Sequence, residues 1–231
     1  MSNDYFRFKQ FIVQQQHCAM KVGTDSCMLG AWAHGGARIL DVGTGTGLLA
    51  LMMAQRFPLA SITALDIDPM AVGQARQNVA ASPFASRIHV CMADFSKDNQ
   101  ALPSTDYDAI ICNPPFFADS LQCPDMQRTV ARHTSALSYQ QLMNHASQLL
   151  SKQGMISVIV PFDCRSRMEE AATLSGLVLT RLCAVRTTER KPPRRYLLAF
   201  SPCSDTAPET SEIVIGSPQF NELLRDFYLK L

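Results

Sequence analysis

The sequence predicts an α/β fold in which a mostly parallel sheet carries helices on both faces. Apolar runs of strand length alternate with helical segments from residue 38 to residue 176. This order requires right-handed crossovers between parallel strands. Four glycine-rich or polar motifs each follow a predicted strand, at the carboxyl end where open α/β sheets bind ligands. The same pattern thus predicts both the fold class and the edge of the sheet that carries a site.

The first motif is a glycine-rich turn between a strand and a helix. Asp41 ends the strand, Gly43, Gly45 and Gly47 follow at alternating positions, and a helix is predicted over 46–56. The third glycine comes one residue too early for the dinucleotide pattern G-x-G-x-x-G. Glycines let the backbone approach a ligand closely, and the start of a helix offers free N–H groups. The alternative is an ordinary strand-to-helix turn, against which three alternating glycines argue.

An acidic residue ends the next predicted strand, 61–66. Asp66 stands about 20 positions beyond the glycines, where an acid hydrogen-bonds ribose hydroxyls in nucleotide-binding α/β folds. Asp68 and Pro69 are better placed to cap and open the following helix, 69–81. Asp66 therefore belongs to the predicted cofactor site, together with the adjacent Ile67.

The third motif follows the predicted strand 87–92. We expect the Asp94 carboxylate to accept a hydrogen bond from the amino group of a bound adenine, while Phe95 packs on its ring. The alternative is that Asp94 is a solvated loop residue.

The fourth motif, Asn113-Pro114-Pro115-Phe116, follows the apolar run 107–112. Consecutive prolines cannot continue a hydrogen-bonded ladder, so the strand must end here. The Asn113 side-chain oxygen and the Pro114 carbonyl can accept hydrogen bonds from an exocyclic amino group, and Phe116 can stack on a base. Such a tetrapeptide is also common in turns, but its place after the glycine turn favours the base-binding interpretation.

Taken together, these motifs resemble the S-adenosylmethionine-dependent methyltransferases of the Rossmann-like class. The resemblance implies a seven-stranded sheet whose last strand is antiparallel. In that class, an Asn-Pro-Pro-aromatic signature belongs to enzymes that methylate planar nitrogens, namely N6 of adenine, N2 of guanine or N5 of glutamine.

The amino-terminal segments 20–25 and 29–32 resemble one bacterial family, the tRNA1(Val) adenine-N6 methyltransferases. The resemblance continues through 128–133 and 197–201 to the carboxyl-terminal region. It implies methylation of N6 of adenine 37, just 3′ of the anticodon of valine tRNA. The familiar signature ends in tyrosine where this chain has Phe116, and guanine-N2 rRNA and glutamine-N5 protein methylation remain alternatives.

Two alternatives lie outside methyl transfer. Glycine spacing and the Asn-Pro-Pro-Phe signature argue against a nicotinamide dehydrogenase, although fold alone does not decide chemistry. A noncatalytic RNA-binding module would need basic clusters but would have no use for a complete cofactor site.

Further cofactor contacts are expected from the amino-terminal segment. We place Lys21, Thr24 and Asp25 in the cofactor site, with Lys21 and Asp25 beside the methionine end of S-adenosylmethionine. Thr24 or Asp25 is also expected to cap a short helix. Asp41 is expected to reach the ammonium group of the cofactor through water.

Basic residues form two local clusters although the net charge is only +1, which argues against nonspecific coating of nucleic acid. One cluster lies between predicted strands 177–185 and 196–201, and the other follows the Asn-Pro-Pro-Phe motif. The first cluster is either a set of phosphate contacts or a solvated loop, and the second is the better candidate for holding the substrate. The candidate RNA-binding residues are Phe117, Arg128, Arg132, His133, Arg190, Lys191, Arg194 and Arg195.

Length and composition limit the remaining possibilities. The 231 residues predict an amino-terminal extension (1–35), a methyltransferase domain (36–204) and a carboxyl-terminal loop and helix (205–231). Near the carboxyl terminus, residues 201–211 are expected to form a loop and residues 219–230 a helix. No apolar run approaches the roughly 18 residues that span a bilayer, and no signal peptide is expected. We therefore expect the protein in the reducing cytoplasm. The eight cysteines are scattered without a C-x-x-C pair, so we expect neither a metal site nor disulfides. The oligomeric state stays open.

Overall fold

The computed structural model of the protein describes residues 4–16, 18, 21–97, 102, 106–114, 137–204 and 206–230. Its strands are β1 (Tyr5–Arg7), β2 (Ile12–Gln14), β3 (Arg38–Val42), β4 (Ser61–Asp66), β5 (Ile88–Met92), β6 (Tyr107–Cys112), β7 (Leu150–Pro161), β8 (Val178–Arg186), β9 (Arg195–Ser201) and β10 (Glu209–Val214). Its helices are α1 (Thr24–Trp32), α2 (Leu48–Arg56), α3 (Pro69–Ala80), α4 (Tyr139–Leu149), α5 (Arg165–Leu174) and α6 (Pro218–Leu224).

Eight strands form one sheet in the order β10-β8-β9-β7-β6-β3-β4-β5, while β1 and β2 form a separate antiparallel pair. Within the large sheet only β9 runs antiparallel to its neighbours, β7 and β8. The predicted α/β class with a mostly parallel sheet is therefore confirmed. The predicted count of seven was wrong, because β10 adds an eighth strand parallel to β8.

Strand β10 was missed because its sequence is polar. We predicted a loop over 201–211, yet Glu209–Val214 pairs along the edge of the sheet. Arg181 and Arg186 of β8 form ion pairs with Glu209 (3.2 Å) and Glu212 (2.8 Å) of this strand. An edge strand need not bury either face, so an apolar alternation is not required there.

The observed helix ends agree with the sequence prediction in one case and differ from it in two. Asp68 caps α3, since its Oδ1 accepts a hydrogen bond from the Met70 N–H at 2.9 Å. The predicted side-chain cap of α1 is wrong, because Gly23 occupies the N-cap position and Thr24 is already helical. The last helix ends at Leu224 rather than near residue 230.

The core has two parts, one on each face of the sheet. On one face, α1, α2, α3 and α6 bury apolar side chains together with the amino-terminal strands. On the other face, α4 and α5 cover the sheet. Helices thus lie on both faces, as the sequence predicted. The rings of Phe6 and Phe8 pack against Tyr228, so the two ends of the described chain are joined in the first part of the core.

Three parallel strands end at the same level. Val42 of β3 pairs with Leu65 of β4 and with Cys112 of β6. The residues that follow these three are Gly43, Asp66 and Asn113. The glycine turn, the acid and the amide predicted to form one site therefore emerge side by side at the carboxyl edge of the sheet.

Replacing Gly47 by alanine is expected to destabilise the protein by about 1–2 kcal/mol, because Gly47 has φ +82° and L-residues resist the left-handed region. Its Cβ would also stand 3.4 Å from Ala75 Cα. Gly73→Ala is the matched control, since that helical site has open space and alanine there should stabilise by about 0.5–1 kcal/mol. Denaturant unfolding measures both; equal stability of the two variants would contradict this account.

Candidate functional site

The glycine turn forms an open cradle at the carboxyl edge of the sheet. Gly43 and Gly45 have φ of +71° and +55°, values that favour glycine. A Cβ at either position would meet no other atom within 4 Å, so the space above the turn is free for a ligand. Gly47, by contrast, lies against α3. Two of the three glycines therefore face the ligand space and the third packs two helices together.

Asp66 lies at the mouth of this cradle with its carboxylate held by backbone. Oδ2 accepts a hydrogen bond from the Gly45 N–H at 2.9 Å, and Oδ1 accepts one from the Asp68 N–H at 3.0 Å. Each carboxylate oxygen can accept a further bond. The side chain of Ile67 beside it is 52% exposed and so offers an apolar surface that a ligand could cover. This arrangement suits a diol next to a flat ring.

Asp41 supports the turn from below. It is completely buried, and its Oδ2 accepts hydrogen bonds from Thr44 Oγ1 at 2.5 Å and from the Ala50 N–H at 3.1 Å. Burial raises the pKa of this carboxyl to about 7. Through these hydrogen bonds, Asp41 connects the end of β3 to the glycine turn and to α2. The predicted contact between Asp41 and a cofactor ammonium through water stays a prediction.

Asp94 and Phe95 are less open than the sequence suggested. Asp94 Oδ1 accepts hydrogen bonds from the Ser96 N–H and hydroxyl, and Oδ2 lies 3.0 Å from Lys97 Nζ. These contacts, with the Ser96 hydroxyl foremost, lower the pKa of Asp94. The Phe95 ring is only 4% exposed and packs edge-on against His145. That ring thus offers little surface for stacking on an adenine.

Asn113 presents an unoccupied acceptor at the tip of β6. Its Nδ2 donates a hydrogen bond to Ser26 Oγ at 2.8 Å, while the buried Oδ1 has no partner among the described residues. A buried acceptor left without a partner costs about 1–3 kcal/mol, so such atoms commonly serve a ligand. Pro114 follows it and is buried. Ser26 was not predicted, because nothing local marks a serine 87 positions away in sequence.

At the start of α1, a residue predicted for the cofactor site contacts a residue predicted for the RNA site. Asp25, predicted for the cofactor, forms an ion pair at 2.8 Å with Arg195, predicted for RNA. Both side chains are partly buried. Lys21 and Thr24 are exposed near the same helix end. The pair links the amino-terminal extension to the connection between β8 and β9, residues 187–194, which we call the basic hairpin.

Asn78 was also missed, although it fixes the amino-terminal extension beside the cradle. Its Oδ1 accepts a hydrogen bond from the Gln14 N–H, and its Nδ2 donates to the carbonyls of Gln14 and Thr46, each at 2.8 Å. Further along the extension, burial raises the pKa of the Cys18 thiol to about 11, with the nearby charge of Asp66 adding to the shift. The extension therefore passes close to the acid that is predicted to bind ribose.

The basic hairpin lies at the same edge of the sheet. Arg195 pairs with Pro161 at the carboxyl end of β7, which neighbours β6. Arg190, Lys191 and Arg194 are exposed on this hairpin. The remaining predicted residues, Pro115, Phe116, Phe117, Arg128, Arg132 and His133, lie outside the described residues.

A groove of about 660 Å³ lies at the opposite, amino edge of the sheet, between α1, the start of β3 and the α2–β4 connection. It is lined by Trp32, Phe57 and Arg181 among others, and by none of the predicted site residues. Across the described ranges, no group of three or more His, Cys, Asp or Glu could hold a metal ion. Within these ranges, none of the helices combines the length and the hydropathy that a membrane-spanning segment requires.

Comparison with known proteins identifies related sequences along the whole chain. Residues 26–174 match the family model described as methyltransferase small domain. The chain is 44% identical over 238 residues to the tRNA1(Val) (adenine(37)-N6)-methyltransferase of Bacteroides fragilis, covering 100% of both chains. It is 46% identical over 239 residues to the protein of that name from Phocaeicola vulgatus, again covering 100% of both. A third protein of that name, from Klebsiella pneumoniae, is 44% identical to this chain, and the match covers 97% of this chain and 94% of the relative.

Solved structures show the same fold at low sequence identity. The predicted O-methyltransferase Atu636 from Agrobacterium tumefaciens superimposes with a TM-score of 0.68 at 20% identity, covering 87% of this chain and 96% of that one. TrmN from Thermus thermophilus superimposes with a TM-score of 0.55 at 24% identity, covering 77% of this chain and 47% of that one. The fold is thus that of S-adenosylmethionine-dependent methyltransferases.

The raised pKa of Asp41 predicts a pH effect on stability. Its folded value of about 7 lies above the ordinary 3.8, so the folded protein holds this proton more tightly and loses stability as pH rises from about 4 to about 7. Asp41→Asn should remove that loss, by up to a few kcal/mol. Denaturant unfolding at several pH values measures it, with Asp106→Asn at an exposed site as control. Parallel pH profiles for wild type and Asp41→Asn would refute the assignment.

Proposed function

The chain belongs to the family of tRNA1(Val) (adenine(37)-N6)-methyltransferases, and from this premise we propose that it methylates N6 of adenine 37 in valine tRNA, in the cytoplasm. The methyl donor is S-adenosylmethionine. One observation carries the proposal beyond the relatives' names. The buried Oδ1 of Asn113 has no hydrogen-bond partner among the described residues. It lies level with the glycine cradle and Asp66, where a base amine and a methyl donor would meet.

The residues at the cradle fit this donor. Gly43 and Gly45 leave space for its amino-acid portion, and the Asp66 carboxylate has acceptors left for the two ribose hydroxyls. Ile67 offers an apolar surface to the adenine ring. S-adenosylmethionine supplies an activated methyl group on a positively charged sulfur, so the protein contributes binding and orientation.

Asn113 prepares the base nitrogen for reaction. The lone pair of an adenine amino group is drawn into the ring, which makes N6 a poor nucleophile. When Asn113 Oδ1 and the Pro114 carbonyl accept hydrogen bonds from its two N–H groups, the nitrogen can become tetrahedral and direct its lone pair outward. Ser26 Oγ accepts from Asn113 Nδ2 and so keeps Oδ1 towards the base. No strong base is required, because the nitrogen becomes acidic once methylated and then loses a proton to water.

The substrate base must leave its stack to reach this edge. An anticodon-loop purine is easier to extrude than a base in a duplex, which suits a site formed at strand ends. The hairpin that carries Arg190, Lys191 and Arg194 lies at the same edge and offers exposed cations to phosphates. In this proposal Phe116 stacks on the base, and Arg128, Arg132 and His133 hold the RNA.

Guanine-N2 and glutamine-N5 transfer would use a similar strand-end amide. The full-length relatives, at 44–46% identity, carry the adenine-N6 name and favour that acceptor. Transfer of a labelled methyl group to a valine tRNA transcript, compared with a transcript bearing guanine at position 37 and with rRNA, tests the proposal. Labelling of rRNA or of the guanine transcript alone would overturn it.

Asn113→Ala should reduce turnover by orders of magnitude with little change in donor affinity, since it removes contacts made chiefly in the transition state. Single-turnover transfer to the valine tRNA transcript and calorimetric titration of S-adenosylmethionine measure the two quantities. Asn144→Ala, at an exposed position of α4, is the matched control and should behave as wild type. Near-normal turnover of Asn113→Ala would exclude the role given to this residue.

Asp66→Ala should weaken donor binding by roughly 10- to 100-fold, because a charge-assisted hydrogen bond contributes about 1.5–3 kcal/mol. Asp68→Ala removes the same charge two residues away and loses the α3 cap, which should cost about 1 kcal/mol of stability but leave donor affinity close to wild type. Calorimetry on both variants makes the comparison. Unchanged affinity in Asp66→Ala would mean that the ribose is held elsewhere.

A further inference from the structure

An aromatic ring stands exposed at the carboxyl edge and has no part in the mechanism above. Phe162 follows directly after β7 and is 48% exposed. One face of its ring stacks on Tyr196, with centroids 5.9 Å apart and planes 29° from parallel. The Phe162 N–H donates a hydrogen bond to the Arg194 carbonyl at 3.2 Å. The ring is therefore fixed against the basic hairpin, with surface left open to solvent.

Strand register places this ring near the predicted reaction site. Cys112 of β6 pairs with Val158 of β7, so Asn113 is level with Ile159. Phe162 lies three residues further along, which corresponds to roughly 10 Å at the rise of a strand, and one strand to the side. A strand of RNA whose base reaches Asn113 can thus pass over Phe162 with a nearby nucleotide.

The segments that flank Phe162 carry exposed cations as well as the acids Asp163, Glu169 and Glu189. The Arg165 guanidinium lies 4.8 Å from the Tyr196 ring, although Glu169 pairs with it and Asp163 is adjacent in sequence. On the hairpin, the side chains of Arg190, Lys191 and Arg194 form no ion pair with any described residue and are exposed. Exposed aromatic rings flanked by cations are how proteins bind unstacked nucleic acid, since bases stack on the ring while phosphates meet the cations.

We propose that Phe162 is a stacking platform for an unstacked nucleobase that flanks the methylated one. The inference rests on the proposed function, because RNA is brought to this edge by the reaction at Asn113. The open ring surface supplies the stacking face, Tyr196 supports the ring from behind, and the hairpin cations neutralise the adjoining phosphates.

Affinity for an unmodified valine tRNA transcript tests the platform. Phe162→Ala should weaken binding by about 5- to 100-fold, in line with the loss of one base–aromatic stack. Phe162→Tyr should bind as wild type does, whereas Phe162→Leu, which keeps an apolar side chain on Tyr196 but has no aromatic face, should bind as weakly as the alanine variant. Wild-type affinity in Phe162→Ala or in Phe162→Leu would overturn the proposal. Donor affinity and unfolding midpoints, measured alongside, report whether any variant has lost its structure.

Fluorescence detects the stack directly. The chain has a single tryptophan, the buried Trp32, so Phe162→Trp adds one exposed reporter. Added transcript should quench that reporter, since an indole in contact with a base loses emission. Leu174→Trp is the matched control, because Leu174 is 71% exposed at the far end of α5, and it should not be quenched beyond the wild-type background. Equal quenching of the two reporters would contradict the proposal.

The proposed methyl transfer and the proposed platform at Phe162 are tested separately. If wild-type protein transfers no methyl group to valine tRNA, the proposed function fails, whatever the Phe162 variants do. If wild type methylates this tRNA while Phe162→Ala binds it normally and Phe162→Trp is not quenched, only the platform is excluded.

Discussion

The common level at which β3, β4 and β6 end is the constraint on which the site depends. Val42 pairs with both Leu65 and Cys112, which sets the glycine turn, Asp66 and Asn113 in one row. A shift of one residue in either pairing would turn alternate side chains to the other face of the sheet and separate this row. Since these strands are buried on both faces, their register is strongly specified by packing. The stability of the core and the geometry of the site thus have the same origin.

Polar contacts from outside the motifs complete the arrangement. Asp41 braces the turn from beneath, and Asn78 ties the turn to the amino-terminal strands. Ser26 orients the Asn113 amide, while the Asp25–Arg195 pair joins the extension to the basic hairpin. These contacts attach the amino-terminal extension to the turn and the strand end of the predicted site. In the proposed reaction, this rigid support holds the catalytic groups in place before the substrates bind, which lowers the activation barrier.

Local sequence patterns predicted those parts of the structure that local physics determines. Apolar runs located the buried strands, and the Asp68-Pro69 pair marked the start of α3. The hydrogen bond between Ser26 and Asn113, and the ion pair between Asp25 and Arg195, join residues distant in sequence, and no periodicity records such pairings. Strand β10 was missed because charged partners on β8, rather than an apolar face, stabilise it. Residues 115–136, which carry several predicted RNA contacts, lie outside the described residues, so those contacts stay predictions.

A crystal structure with the demethylated donor, S-adenosylhomocysteine, tests the central claim most directly. The account predicts that the ribose hydroxyls bind the Asp66 carboxylate, that the chain of the amino acid lies over Gly43 and Gly45, and that the sulfur faces Asn113. A ligand bound instead in the groove at the amino edge, beside Trp32, Phe57 and Arg181, would contradict it.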